Sequence, residues 1–199
     1  DGPVQTPQDL AGRRIASQHS DPHAMHCYLL RNYYKVDDST LKWESHPQEE
    51  LLDFLKQGKA DAVVLIDQFF FRGETDPDVR CLYTDGDAWS GLHGLPEIIK
   101  HMLATREDLL EEHPEFRTQI LEACRKSVAY SEDHMSEIAD RFIAKYGGDK
   151  EAIIASAGYP NIVFTFTDTE RKEAEATMDM LIDTGRLDGR VDLSQAFVV

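Results

Sequence analysis

Polar and apolar positions alternate in two different rhythms along the first half of the chain. "RRIAS" (Arg13–Ser17) is a short apolar run behind a basic pair, and it predicts a strand. Asp21–Tyr34 has helical spacing, with Ser20 at the N-cap and Pro22 in the first turn. Leu41–Ser45 predicts a second strand. Gln48–Gln57 predicts a second helix, approached through His46-Pro47 and closed by Gly58. "DAVVLI" (Asp61–Ile66) is continuously apolar, too short for a helix and rich in β-branched residues, as a strand buried on both faces reads. Val79–Tyr83 is a fourth strand candidate. Strand–helix–strand–helix–strand order implies a parallel sheet with right-handed crossovers.

"DGDAWSGLHGLP" (Asp85–Pro96) carries three glycines among turn residues and reads as a boundary. One strand candidate follows, "EIIKHMLATR", and then the rhythm turns helical. Glu107–His113 is a short helix. Glu115–Ser131 aligns Phe116, Ile120, Leu121, Cys124 and Val128 on one stripe. Helices are also expected over His134–Tyr146, Lys150–Ala157 and Asp168–Thr184, each closed by a glycine. "NIVFTF" is a short strand or an extended connection. These amphipathic helices have almost no sheet of their own to pack on.

Composition narrows the function classes. The 199 residues carry a net charge of −16, which argues against nucleic acid and against an anionic membrane surface. The same charge is also what solubility alone would ask for. No apolar run approaches the ~20 residues that span a bilayer. Cys27, Cys81 and Cys124 are odd in number and widely spaced, so neither a disulfide framework nor a Cys-x-x-Cys metal pair is expected.

Four stretches share a resemblance. "TPQDLAGRRIAS", "LLDFLKQGKADAVVLI", "ATREDLLEEHPEF" and "MDMLIDTGRLDGRVDLSQAF" occur in the order and spacing seen in type II periplasmic solute-binding proteins. The similar branch holds the sulfonate, taurine, nitrate and thiamin-precursor binders. The resemblance implies an α/β, periplasmic-binding-protein-like type II fold: a parallel βαβαβ lobe followed by a mainly helical return segment. It assigns residues 1–86 to the second lobe, and residues 87–199 to a return strand and helices of an incomplete first lobe. The N-terminal part of that first lobe is expected to be missing: either the sequence is a fragment, or another copy or another protein completes its core.

In an open parallel sheet, ligands lie beyond the carboxyl ends of the strands. The loops there are Ser17–Pro22, Ser45–Pro47 and Asp67–Phe69, which makes Ser17, Gln18, His19, Ser20, His46, Asp67 and Gln68 candidate ligand contacts. Helix-start N–H groups suit an anionic or polar group, whereas Asp67 and Gln68 suit an amine or hydroxyl. Ser20 as a plain cap and Asp67 as a plain turn residue remain open alternatives. Trp89 and His93, on the turn between the lobe regions, are candidate cleft walls, with Trp89 as a plug of that boundary the alternative. "FFF" (Phe69–Phe71) is expected in the core or at an interface. His23, His26 and Cys27 share a helix face that could chelate a soft metal, against the commoner fate of packed or solvent-facing side chains. No cofactor is expected.

No nucleophile elbow, Walker loop, dinucleotide fingerprint or His-Glu-x-x-His is present. With no catalytic signature beside it, the resemblance implies the substrate-binding component of an ABC-type importer, taking a small polar or anionic organic solute. Its partners would be membrane transporter subunits and its location periplasmic or extracytoplasmic. One alternative is a cytoplasmic enzyme on the same fold, a decarboxylase or desulfinase of aromatic acids, with His93 or His101 as acid/base. Another is a stand-alone interaction module that forms a homo-oligomer.

Overall fold

Three strands pair in parallel around the N-terminal "RIAS" run. They are β1 (Arg14–Ser17), β2 (Lys42–Ser45) and β3 (Ala62–Val63), in the order β2-β1-β3. The computed structural model describes residues 2–18, 24–96 and 98–193. Connections run in opposite directions from β1, so crossovers of one hand place the two linking helices on opposite faces of the sheet. Those helices are α1 (Ala24–Asn32) and α2 (Gln48–Lys56). Side chains alternate accordingly along β1. Ile15 joins Leu10, Leu30, Val36, Leu41 and Ala62 on the α1 side, while Ala16 joins Leu51 and Ala60 on the α2 side. Both faces of β1 are thus covered, whereas β2 is largely exposed and, of the run Asp61–Ile66 expected to be buried on both faces, only Ala62 is buried.

The β3 ladder is shorter than the predicted Asp61–Ile66. Asp61 N–H still bonds Arg14 C=O and Val64 N–H still bonds Ala16 C=O, both at 2.9 Å. Beyond Val64 the backbone is taken over by a side chain, as described below. Gly58, at φ +67°, lets the chain leave α2 and turn back toward the sheet. Asp61 then fastens the sheet edge. Its carboxylate accepts from the Arg14 amide at 3.0 Å and from the Arg14 guanidinium at 3.2 and 3.0 Å. These bonds hold the Asp61 carboxyl below its ordinary range, chiefly through the guanidinium contact. A depressed native pKa gives stability that is present above the unfolded value of about 3.9 and lost as pH falls through the native one. Urea midpoints from pH 7 down to 2 are expected to show the gap between wild type and Asp61→Asn closing below about pH 4.

Several expectations are corrected. Val79–Tyr83 forms no strand: it runs on without a ladder, Cys81 is exposed, and Leu82 and Tyr83 pack on the α1-side core. Residues 98–106 form no strand either, with Met102 and Leu103 exposed. Residue 97 lies outside the described residues. "NIVFTF" has no regular structure. "DGDAWSGLH" is not a turn but helix α4 (Asp85–His93), with α3 (Asp67–Glu74) before it. Thr84 caps α4 by accepting the Asp87 amide at 3.1 Å, which offsets the low helix propensity of glycine. Gly91 is where Tyr33 of the α1 end comes close: a Cβ there would sit 2.4 Å from the Tyr33 hydroxyl.

The described helices continue with α5 (Glu107–Glu112), α6 (Glu115–Tyr146), α7 (Lys150–Gly158) and α8 (Asp168–Asp183). Two helices were expected where α6 runs, and helical geometry does break at His134, with φ −123°. His134 Nδ1 lies 2.9 Å from the Tyr130 carbonyl, so a side chain enters the ladder there. The chain divides into two compact units, residues 1–99 with 166–199, and residues 100–165. In the second unit α6 packs on α7, and Ala139 and Ala152 are its buried hydrophobic residues. In the first, α8 packs on α1, and Trp89 on α4 donates its indole N–H to buried Glu173 on α8 at 3.0 Å.

Candidate functional site

The strand order decides where a ligand can lie. Chain connections diverge from β1 toward β2 on one side and arrive at β3 on the other, so the switch point falls between the carboxyl ends of β1 and β3. Ser17, wholly buried, ends β1; Gln18 follows it, exposed. His19, Ser20 and His23 lie outside the described residues, so the predicted cap and part of the first loop are not described. On the β2 side, the His46 amide donates to the Ser17 carbonyl at 2.9 Å, and the Ser45 hydroxyl donates to the Gln18 carbonyl at 3.1 Å. The His46 ring packs at a tilt on Phe54, centroids 3.9 Å apart and planes at 36°, with Glu44 at 3.5 Å. It is thus a loop residue at the strand ends whose ring is already packed.

Past β3 the backbone is set by Gln48, a residue the sequence reading passed over. Gln48 opens α2 and is buried, 4% exposed. Its Nε2 donates to the Val64 carbonyl at 3.1 Å, and its Oε1 accepts the Ile66 amide at 3.4 Å. The side chain therefore stands where another strand would have continued the ladder. A glutamine at the start of a helix normally reads as solvated surface, so only its place beside a truncated strand identifies it. Gln48→Ala leaves a buried carbonyl and amide without partners and is expected to cost about 1–3 kcal/mol in urea unfolding.

Immediately beyond, Asp67 takes φ +49°, a left-handed conformation that aspartate visits more readily than most residues. Its carboxylate is exposed and makes no hydrogen bond or ion pair among the described residues. Next to it, Gln68 Oε1 is sealed from solvent with no donor. A buried acceptor left this way costs on the order of 1–3 kcal/mol until a donor arrives. Asp67 and Gln68 thus sit together at the start of α3, at the carboxyl end of β3, as the spacing anticipated. Phe69, Phe70 and Phe71 continue α3 half-buried.

The remaining candidates lie elsewhere. Trp89 is not on a turn: it is fully buried in α4, within the core formed by Leu29, Ala88 and Met180. His93, at the end of the same helix, stacks on Tyr28 (centroids 5.9 Å, planes 2° apart) and packs on Trp89. Burial lowers its pKa, with Glu173 and Asp179 acting in the opposite sense. His101 is exposed and belongs to the 100–165 unit. His26 Nδ1 is 3.2 Å from the Tyr83 hydroxyl, and burial pushes the Cys27 thiol up. Among the described residues, no three His, Cys, Asp or Glu side chains group to hold a metal.

Comparison with known proteins agrees with this architecture. A family model described as NMT1/THI5 like matches residues 1–138. No curated protein matches the chain.

Proposed function

Because the chain belongs to the NMT1/THI5-like family of type II periplasmic solute-binding proteins, we propose that it is the substrate-binding component of an ABC-type importer. It takes a small polar or anionic organic solute beyond the carboxyl ends of β1 and β3. The observation that carries this reading is the parallel order β2-β1-β3, which brings Ser17–Gln18 and Asp67–Gln68 to the two sides of one switch point. Ser17, Gln18, Asp67 and Gln68 are the described contacts proposed, with His46 supporting the rim.

The protein works outside the cytoplasm in this reading and hands its solute to membrane permease subunits. Among the described residues, no helix is long and apolar enough to cross a membrane. Transporter partners would accordingly supply the membrane passage.

Ligand binding tests the proposal directly. A ligand at one hundred times its Kd adds about 2.7 kcal/mol to stability, which raises the melting temperature by several degrees. A panel of small polar solutes is expected to contain at least one that does so, with one-site binding by calorimetry. A panel without any binder, together with an encoding gene that has no export signal and no neighbouring permease gene, would rule the proposal out.

A further inference from the structure

We propose that residues 161–167 are a self-association strand, which two copies of this chain pair antiparallel about a two-fold axis at Phe164. The occupant of this edge is a second copy, and the pairing is independent of which solute the protein takes.

Unused backbone groups are the first reason. Ile162, Val163, Phe164 and Thr165 have no regular structure and make no hydrogen bond among the described residues. Four consecutive amides and carbonyls are left to solvent, the template on which an added strand forms. Residues 162–166, "IVFTF", are all strand formers, without glycine, proline or charge. From Val163 to Thr167, exposed and half-buried residues alternate with the period of a strand. Pro160 on one side, and the Thr167 capping box that opens α8 on the other, limit the pairing to this length.

Charge identifies the partner. The chain carries −16, so two copies repel where their charged surfaces meet. Residues 152–167 hold no Asp, Glu, Lys or Arg and are the longest such run in the chain. A second copy of the segment therefore brings no charge against the first. Phe164 is the midpoint of residues 161–167, and the register centred on it is self-complementary. Ile162 faces Phe166, Val163 faces Thr165, and Phe164 faces its own copy, so every central pair is apolar, aromatic or β-branched. Ile162 and Val163, 54% and 50% exposed, are the side chains this pairing covers. The nearest cations are Arg125, 5.3 Å from the Phe164 ring, and Arg171, 5.6 Å from the Phe166 ring. Because these and the net charge repel their counterparts across the axis, added salt strengthens the pairing.

Sedimentation equilibrium of the full chain reads the association. An interface this small holds weakly, so the range to cover is roughly 10 μM to 1 mM. The mass is expected to rise from 22.6 kDa toward twice that value, and at lower protein concentration when salt is raised. Val163→Lys is expected to stay at the monomer mass, with the melting temperature of wild type because the side chain is exposed. Val163→Lys combined with Thr165→Glu is expected to restore the dimer, since the register sets each lysine opposite a glutamate of the other copy. Met102→Lys, which changes an exposed apolar side chain outside the segment, should leave association unchanged. A monomer at every concentration overturns the proposal. So does a dimer that Val163→Lys leaves intact, one that Met102→Lys abolishes equally, or a loss that the double variant does not reverse.

Discussion

Replacing Trp89 with alanine is expected to cost about 3–5 kcal/mol, the range for removing a large aromatic from a packed core. Trp89 is wholly buried and joins its own helix α4 to α1 and α8. It packs with Leu29 of α1 and Met180 of α8, tilts against Tyr28 and His93, and bonds Glu173. Truncation therefore opens a cavity and also removes a donor from a buried carboxylate. Trp89→Phe separates these effects, since it keeps most of the ring and loses the N–H; it should cost less than the alanine change but still about 1–3 kcal/mol. Domains typically have only about 5–15 kcal/mol in total, so Trp89→Ala is expected to lower the urea midpoint sharply. Circular dichroism is the suitable probe, because the substitution removes one of the two tryptophans. A loss below about 1 kcal/mol would mean that α1, α4 and α8 do not meet around this ring.

Leu30→Ala is expected to cost about 2–5 kcal/mol through the α1-side core of the sheet. Leu30 is buried among Leu10, Ile15, Val36, Leu41 and Ala62, so it ties α1 to both β1 and β3. Leu51 does the same on the other face, with Ala16 and Ala60, and the two clusters share no residue. Leu51→Ala should therefore show a loss of similar size, and the two losses should be independent to within roughly 0.5 kcal/mol. A marked departure from additivity, measured by urea unfolding of the single and double variants, would show that the sheet does not separate two cores. Neither leucine lies at the strand ends, so any variant that remains folded should bind the same solute as wild type.

The two acceptors after β3 and the two cores answer to different parts of the chain's chemistry. The place of Asp67 and Gln68 is legible in the sequence, because they follow an apolar, β-branched run that opens as strand β3. That of Gln48 is not, because its two bonds join residues 16 and 18 positions away. Trp89 was misread for a related reason: three glycines suggested a turn, while the Thr84 cap and the seat of Trp89 between α1 and α8 sustain a helix. His93 followed Trp89 into that packing and away from the role of a cleft wall. Conversely, "VRCLY" has strand composition but finds no edge to pair with.

What the sequence by itself determined is local or periodic. The alternation of apolar runs specified β1, β2, α1, α2 and the parallel βαβαβ order, because strand and helix periods sort side chains onto faces before any partner is known. Four ordered motifs specified the family. Tertiary structure alone decided which apolar runs became strands, since a ladder needs a neighbouring edge, and which polar groups were used up, since buried donors and acceptors are matched across distances the sequence does not display. Among the described residues, Trp43 Nε1, Gln68 Oε1 and Thr177 Oγ1 are what that matching leaves over.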